Sequence, residues 1–458
     1  MRVYKFTGLY QSGLWISPAY VQVNDKGIVK NITNGEPYVK VPIEEVKGYA
    51  LPGFQNAHSH AFQYAMAGLA ETHRHIKADD FWAWRDAMYS LATKITPDQM
   101  EAVATMLYTE MLRHGYTAVA EFHYLHHDEN GQPYSNPIEM SERLIAAANN
   151  AGIRITLIPV FYQKGGFGKE ATETQKRFIL NSSDDYLSFL DKVKKSCENN
   201  IYANTVAGIH SLRAANAEDI VNVVNNTVNT PLHIHIAEQK KEVDECLVYL
   251  GKRPVQWLLD NVEVTKRFHL VHATHVTEDE VTGMAMASAN VILCPSTEGN
   301  LGDGLFPLFQ FHTIGGNWSI GTDSHVGLNP FEELRLLDYG QRLTTNKRSI
   351  YYNPMITDSG HFALEQSIIN GRASMDNIET AFFKIGRPFD ALIIDSENHL
   401  IKSTSPENMM STILYCTDVS INIATIVNGE WIINKQRHRD QTKINNDFIK
   451  AIKDLGER

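Results

Sequence analysis

Short apolar runs alternate with longer amphipathic stretches between residues 51 and 324. Runs of this length are typical of buried strands, and the stretches between them have helical spacing. One stretch, 97–114, is followed by Gly115, a common helix stop. The pattern therefore predicts eight parallel strands joined by crossover helices. The predicted strands are 50–58, 117–124, 154–162, 206–210, 231–237, 268–274, 290–295 and 318–323.

Eight such units close naturally into a (β/α)8 TIM-like barrel, so the predicted fold class is α/β, with the barrel over residues 51–377. The flanks differ, because residues 1–50 and 378–458 carry short alternating segments. The alternating segments predict one small β-sandwich-like domain built from both ends of the chain. Asn428-Gly429 is a hairpin turn signal within it, and 445–455 a terminal helix.

Composition excludes several classes of protein. Hydrophobic residues make up 43% of the 458 residues and charged ones 21%, as in an ordinary globular chain. A net charge of -11 argues against nucleic-acid or anionic-membrane partners. No secretory signal or membrane span is evident. The four cysteines form no C-x-x-C pair, which predicts buried thiols in a reducing cytoplasm. They are Cys197, Cys246, Cys294 and Cys416.

Histidines and carboxylates follow the ends of four predicted strands. His58 and His60 are two apart at the end of the first, so both side chains point to one face. Each group alone reads as a polar strand end or a pair of loop histidines. Because the C-terminal strand ends of a barrel meet at one mouth, all of them together predict a metal site. The other groups are His233, His235 and Glu238, then His272, then Asp323. Further polar residues at this rim are Tyr124, Tyr162, His210, Arg213, Thr297 and Glu298.

Imidazole nitrogens with a carboxylate oxygen suit Zn²⁺, and Fe²⁺, Mn²⁺ or Co²⁺ fit the same donors. The segment PGFQNAHSH at 52–60, with the later histidines and Asp323, resembles the amidohydrolase superfamily over nearly the whole chain. The spacing His235-x-x-Glu238 is similar to its mononuclear deaminase branch. A binuclear member would carry a Lys or Glu on the fourth strand, where 206–210 has neither, and Lys164 is better read as a loop residue. The resemblance implies one cation. Its implied ligands are His58, His60, His235 and Asp323.

Four further segments narrow the resemblance to one family of that branch, the formimidoylglutamate deiminases. They are AFQYAMAGL at 61–69, FWAWRDAMY at 81–89, EFHYLHH at 121–127 and GIHSLR at 208–213. The implied reaction, a step of histidine degradation, converts N-formimidoyl-L-glutamate and water to N-formyl-L-glutamate and ammonia. Members are often homodimers, so the resemblance also implies a homodimer.

The resemblance implies three catalytic roles. A bound cation would lower the pKa of water from ~15.7 toward about 7, and the hydroxide would attack the formimidoyl carbon. Asp323 would take the proton of the water, His272 would orient it and stabilise developing charge, and Glu238 would protonate the departing nitrogen. The alternative for Glu238 is a structural one, in which it fixes the tautomer of His235.

The implied substrate is a small dicarboxylate that also carries an amidine, so it calls for two guanidinium forks. Arg85 and Arg213 fit that need. Arg85 could instead stack on Trp82 or Trp84. By resemblance the pocket is completed by Gln63, Tyr124 and His210.

Two alternatives stay open. The first is a deaminase or hydrolase of the same superfamily that acts on another substrate, such as an aminated heterocycle or an acylated amino acid. The second is a barrel without metal that serves as a scaffold. The number of chemically competent side chains on one rim argues against the scaffold.

Overall fold

The structure is a computed structural model that describes residues 1–69, 81–348, 350–353, 355–356 and 358–456. Its strands are β1 Arg2–Gln11, β2 Leu14–Ile16, β3 Ala19–Val23, β4 Val29–Thr33, β5 Ile43–Pro52, β6 Phe54–Ser59, β7 Tyr116–His123, β8 Arg154–Phe161, β9 Ala203–Thr205, β10 Ala207–Ile209, β11 Leu232–Ile236, β12 Phe268–His272, β13 Asn290–Leu293, β14 Asn317–Ile320, β15 Ala391–Asp395, β16 Asn422–Val427, β17 Glu430–Asn434 and β18 Arg437–His438.

The α-helices are α1 Phe81–Lys94, α2 Pro97–His114, α3 Glu139–Ala151, α4 Ser183–Cys197, α5 Ala217–Asn226, α6 Lys240–Leu250, α7 Pro254–Asn261, α8 Glu278–Met286, α9 Pro295–Leu301, α10 Leu308–Thr313, α11 Pro330–Thr345, α12 Ser359–Ser374, α13 His399–Ser403, α14 Met409–Cys416 and α15 Gln441–Leu455. Short 3-10 helices cover Ala61–Met66, Glu173–Phe178, Leu212–Ala214, Pro406–Asn408 and Val419–Ile421.

The middle of the chain forms a parallel barrel. Its strands pair in the order β14-β13-β12-β11-β10-β8-β7-β6. The short strand β9, which comes just before β10 in the chain, also pairs with β8. A parallel bridge between Ser59 and Asp323 closes the ring, supported by the bond from His60 N to Asp323 O at 3.2 Å. The predicted (β/α)8 barrel is confirmed, and its closing seam lies at the mouth where the predicted site residues meet.

The first predicted strand, 50–58, is divided in the structure. Its beginning belongs to β5 of another sheet, and the barrel strand β6 starts at Phe54. Gly53 stands between them, where an added Cβ would lie 2.1 Å from Oγ1 of Thr117. Because only glycine fits so close to the neighbouring strand, the chain can pass here from one sheet to the other.

Both chain ends contribute to a second sheet. It has the order β18-β17-β16-β15-β5-β1-β3-β4, with β2 paired to β1, and it is mixed because β1 and β5 run parallel. The predicted hairpin is present: Asn428 and Gly429 have φ of 53° and 68°, and Val427 pairs with Glu430. The composite β-rich part is thus confirmed as one mixed sheet. The domain boundaries at 50/51 and 377/378 stay predictions.

Helix α2 has the predicted bounds, with Thr96 as its N-cap and Gly115 at φ 100° after its last residue. The terminal helix α15 begins one turn before the predicted 445, because Gln441 already contacts Arg113 of α2 through a 3.0 Å hydrogen bond. Cys416 is exposed, which corrects the prediction of buried thiols for that residue alone. Over the described ranges, no helix combines the length and apolarity needed to cross a membrane.

Candidate active site

Four predicted ligands converge at the mouth of the barrel. His58 Nε2 lies 3.2 Å from His60 Nε2, 3.0 Å from His235 Nε2 and 3.0 Å from Asp323 Oδ1. His60 Nε2 is 3.2 Å from the same carboxylate oxygen. All four side chains are buried, and their ligand atoms lie within 4.8 Å of one another. The arrangement is a possible four-residue metal site.

The donor chemistry of this cluster fits a cation. His60 Nδ1 bonds the carbonyl oxygen of Phe122 at 2.9 Å, and His235 Nδ1 bonds that of His210 at 3.0 Å. Because a carbonyl only accepts, both Nδ1 atoms carry the proton and both Nε2 lone pairs face the cluster. Burial lowers the pKa of His58 to about 3, which keeps that ring neutral as well. Lone pairs so close together repel unless a cation lies among them.

The carboxylate of the cluster is ionised. Burial alone would raise the pKa of Asp323, but the adjacent His58 and His60 rings outweigh burial and hold the pKa well below the usual range. Asp323 also has a φ of 42°, in the left-handed region that side chains other than glycine rarely adopt. Ala237 and His272, at the ends of two other strands, have φ of 51° and 70°. Such strain is often concentrated at functional sites.

A carboxylate and an imidazole stand beside the cluster. Glu238 Oε1 lies 3.8 Å from His272 Nε2, while Glu298 Oε1 lies 3.3 Å from His272 Nδ1. Burial alone would lower the pKa of His272, but Glu238, Glu298 and Asp323 outweigh it and raise the pKa to about 10. The ring therefore lies between two carboxylates, which favour its protonated form.

Arg213 is buried on the other side of Glu238. Its Nη2 lies 3.9 Å from Glu238 Oε2, and its Nη1 lies 3.3 Å from Glu242 Oε2. Nη1 makes no well-directed hydrogen bond to any described residue. The guanidinium thus keeps donors that a substrate carboxylate can take.

Arg85, on α1, lines the same cavity as Arg213. Its guanidinium carbon lies 5.4 Å from the centre of the Tyr89 ring, a cation–π arrangement. The alternative of stacking on Trp82 concerns a side chain outside the described residues.

Three further predicted residues lie against the cluster. Gln63 Nε2 donates to Tyr124 Oη at 3.3 Å, and the amide oxygen of Gln63 is buried without a partner among the described residues. His210 Nδ1 lies 3.0 Å from Ser211 Oγ, and burial holds its pKa well below the usual range. A buried, unsatisfied amide oxygen is costly, so it indicates a place where a ligand donor binds.

One cavity joins these groups, and His58 lies directly beneath it. The predicted site residues that line it are His60, Gln63, Arg85, Tyr124, His210, Arg213, His235, Glu238, His272 and Asp323. Its remaining lining residues are Trp84, Met88, Tyr89, Tyr162 and Leu301. The structure therefore brings together these ten side chains and His58, whereas His233 lies apart from them, with its Nε2 2.8 Å from the carbonyl oxygen of Ser374.

Sequence reasoning gave no role to three buried acids beside the cavity. Glu242 follows Glu238 by four residues and accepts its backbone N–H at 3.0 Å. Asp303 accepts a hydrogen bond from Gln239, and burial with the charge of Glu238 raises the pKa of Asp303 to about 9. Glu298 stands at a predicted strand end, the one signal that the sequence held for it.

Sequence comparison finds a matching family model and several similar proteins. The amidohydrolase family model matches residues 49–368. A formimidoylglutamate deiminase of Pseudomonas aeruginosa is 42% identical over 419 residues, or 90% of each chain. A 5-methylthioadenosine/S-adenosylhomocysteine deaminase of Pyrococcus furiosus is 24% identical over 444 residues, 93% of this chain and 94% of its own.

Solved structures agree with this grouping. An amidohydrolase from Brucella melitensis superposes with a TM-score of 0.92 at 37% identity, covering 99% of this chain and 100% of its own. An adenosine deaminase from Xanthomonas campestris with bound zinc gives 0.82 at 17% identity, covering 100% and 98%. The second likeness supports the fold alone.

Proposed function

The chain belongs to the amidohydrolase family, and from that premise we propose that it hydrolyses N-formimidoyl-L-glutamate to N-formyl-L-glutamate and ammonia. It is thus a metal-dependent hydrolase of a non-peptide C–N bond, as formimidoylglutamate deiminases are. The observation that carries this function is the cavity, where two arginines share one space with three of the four proposed cation ligands and the pair Glu238 and His272. The likeness to the Pseudomonas aeruginosa deiminase over nine tenths of the chain supports it.

We propose one Zn²⁺ per chain, held by His58, His60, His235 and Asp323, although the donors also suit Fe²⁺, Mn²⁺ or Co²⁺. When bound, such an ion supplies acidified water, whose pKa falls from ~15.7 toward about 7. The tautomers fixed by Phe122 O and His210 O support this ligand set.

The charges of the cavity match the substrate. Its two carboxylates would bind Arg213 and Arg85, since a guanidinium fork holds a carboxylate through two parallel hydrogen bonds. Its cationic amidine would lie on the acidic side of the cavity, toward Glu238 and Asp323. The free oxygen of Gln63 can accept an N–H of the same group.

The proton steps follow from the positions of three side chains. As the oxygen of water bonds to the amidine carbon, the carboxylate of Asp323 accepts one proton. His272, whose protonated form the neighbouring carboxylates favour, stabilises the negative charge that develops on that oxygen. Glu238 takes the second proton of the former water oxygen and passes it to the terminal nitrogen, so that the C–N bond breaks as the carbonyl forms and ammonia leaves. The cationic amidine and water thus give the formamide and ammonia, and the one remaining proton passes from Asp323 to solvent.

Product analysis tests the function. Purified protein is stripped with a chelator, restored with zinc, and incubated with N-formimidoyl-L-glutamate or with 5-methylthioadenosine. We expect one ammonia and one N-formylglutamate per substrate consumed, only from the first substrate and only after zinc is restored. Ammonia from the nucleoside alone would identify the heterocycle deaminase instead. A protein that binds zinc but converts neither substrate would contradict the proposal.

The sequence supports three further proposals. They are a composite domain of residues 1–50 and 378–458 around a barrel of residues 51–377, a homodimer, and a cytoplasmic location. The two separate sheets support the first.

A further inference from the structure

Glu298 is a buried carboxylate that the proposed reaction does not use. It lies on α9, directly after the barrel strand β13, and only 3% of the residue is exposed. An ionised carboxylate at such depth is costly unless its oxygens find donors. The contacts of Glu298 therefore indicate what it does.

Oxygen Oε1 of Glu298 makes two contacts. It accepts the backbone N–H of Cys294 at 2.9 Å, and it lies 3.3 Å from His272 Nδ1. Because the Cys294 N–H only donates, Oε1 is an acceptor, and the His272 Nδ1 atom supplies the proton of the second bond. The bond to Cys294 also fixes the carboxylate, since that N–H belongs to the end of the barrel strand.

The opposite edge of the His272 ring faces the cavity. Its Nε2 lies 3.8 Å from Glu238 Oε1, so the ring is held between two carboxylates, one at each nitrogen. The backbone that carries the ring is strained, because His272 and Ala273 have φ of 70° and 48°. Such strain persists only where surrounding contacts hold it, and the contact with Glu298 is one of them.

We propose that Glu298 is a positioning residue, which holds His272 by Nδ1 and thereby directs Nε2 at Glu238 and the reacting carbon. This assignment rests on the proposed function for the reacting carbon only. The orientation of the ring is a property of the protein without substrate. Two kinds of measurement can therefore test it separately.

The kinetic test compares Glu298→Gln with Glu298→Met. The glutamine oxygen can still accept from both donors, whereas methionine accepts from neither. Loss of the partner that orients a metal-ligating histidine typically costs about 10–100-fold in activity, and we expect the same range for His272. The kcat should fall ~10-fold in Glu298→Gln, which loses the negative charge, and ~100-fold in Glu298→Met, which also loses the acceptor. KM should stay within about twofold, because no substrate contact is removed.

The matched control is Glu333→Gln. Glu333 is a second buried acid in this region, and its Oε2 accepts the backbone N–H of Ser296 on the same helix α9. We expect this variant to keep the kcat of the wild type. An equal loss of kcat in Glu333→Gln would mean that packing around α9, and not the contact to His272, sets the rate.

The second test needs no turnover. In protein labelled with ¹⁵N-histidine, the hydrogen-bonded Nδ1–H resonance that His272→Asn removes should shift in Glu298→Gln and vanish in Glu298→Met. Zinc content and thermal midpoint show whether each variant is folded, and Glu298→Gln serves if Glu298→Met does not fold. An unchanged resonance in both variants, or wild-type kcat in Glu298→Met, would overturn the proposal. A wild type that is inactive on formimidoylglutamate would instead refute the proposed function, with the resonance still testing Glu298.

Discussion

Glu238 is the residue whose position most directly ties geometry to chemistry. One carboxylate oxygen faces His272 and the other faces Arg213, and neither is among the four ligand atoms of the cluster. The tautomer of His235 is fixed by the carbonyl of His210. These contacts support the proposed proton transfer by Glu238 rather than a role in holding the His235 ring.

The variant Glu238→Gln tests this role. It keeps the shape of the side chain but cannot carry a proton, so we expect kcat to fall by about 10²–10⁴-fold. Zinc per chain, measured by elemental analysis, should stay at the wild-type value. Loss of zinc together with activity would show that Glu238 supports the cation site instead.

Arg213 carries a separate prediction about recognition. Its charge is buried beside Glu242 and Glu238, so a substrate carboxylate that binds it is desolvated too. Removing one partner of such a pair typically costs 2–5 kcal/mol, and Arg213→Met should lower kcat/KM by more than ~2 kcal/mol. Steady-state kinetics measures this. Arg213→Lys, which keeps charge but not the fork, should lie between, and an unaffected Met variant would remove Arg213 from the pocket.

Among single residues, the sequence indicated the site residues at strand ends but not the buried acids that stand beside the cavity without lining it. His58 and Asp323 could be found because a position at the end of a barrel strand fixes the face to which the side chain points. It also fixes the end of the barrel at which the side chain lies. Glu242 and Asp303 follow turns whose path depends on tertiary packing. Their approach to Arg213 and Gln239 is therefore invisible in local spacing.

Among the secondary-structure elements, some helix ends can be predicted from the local sequence alone. Helix α2 could be bounded from sequence because its N-cap Thr96 and its stop at Gly115 are both local signals. The start of α15 could not, since it depends on Gln441 reaching Arg113. Strand β6 likewise begins late because Gly53 lies against Thr117, a contact between distant segments.

Gly115 allows a prediction about element stability. It has φ 100°, and an added Cβ would lie 2.6 Å from Leu392 Cδ2 of the second sheet. We expect Gly115→Ala to reduce the free energy of unfolding by about 2–4 kcal/mol, the sum of the positive-φ strain and the overpacking. Gly251, at φ 72° after α6, has no atom within 4 Å of its built Cβ.

Gly251→Ala is therefore the control, because it carries the strain without the clash, and it should cost only about 1 kcal/mol. Guanidinium denaturation of both variants measures the difference. Equal losses would mean that the contact between Gly115 and Leu392 relaxes without cost.

At the scale of the whole molecule, the barrel closes at the proposed metal site. The segment that follows the last barrel strand, β14, is bonded to the first barrel strand, β6. The backbone N–H groups of Thr322 and Asp323 donate to His58 O at 3.1 and 3.0 Å. Three of the four ligands, His58, His60 and Asp323, belong to these two segments. The alternation of strands and helices predicts that a ring closes, but not the register of its seam, across which three of the proposed cation ligands face each other.

A cation at this place should therefore stabilise the entire barrel. Ligand present at 1,000 times its dissociation constant adds about 4 kcal/mol to the folded state, since the unfolded chain does not gather the four donors. At roughly 2 °C per kcal/mol for a large domain, chelation should lower the thermal midpoint by at least about 5 °C. Differential scanning calorimetry of chelated and zinc-restored protein measures the shift, and Arg213→Met, which leaves the ligands intact, should show the same response. Amide exchange at 58–60 and 321–323 should rise on chelation before the rest of the barrel does, because the seam loses its bridging ion. Equal midpoints with and without zinc would show that the seam closes without the metal.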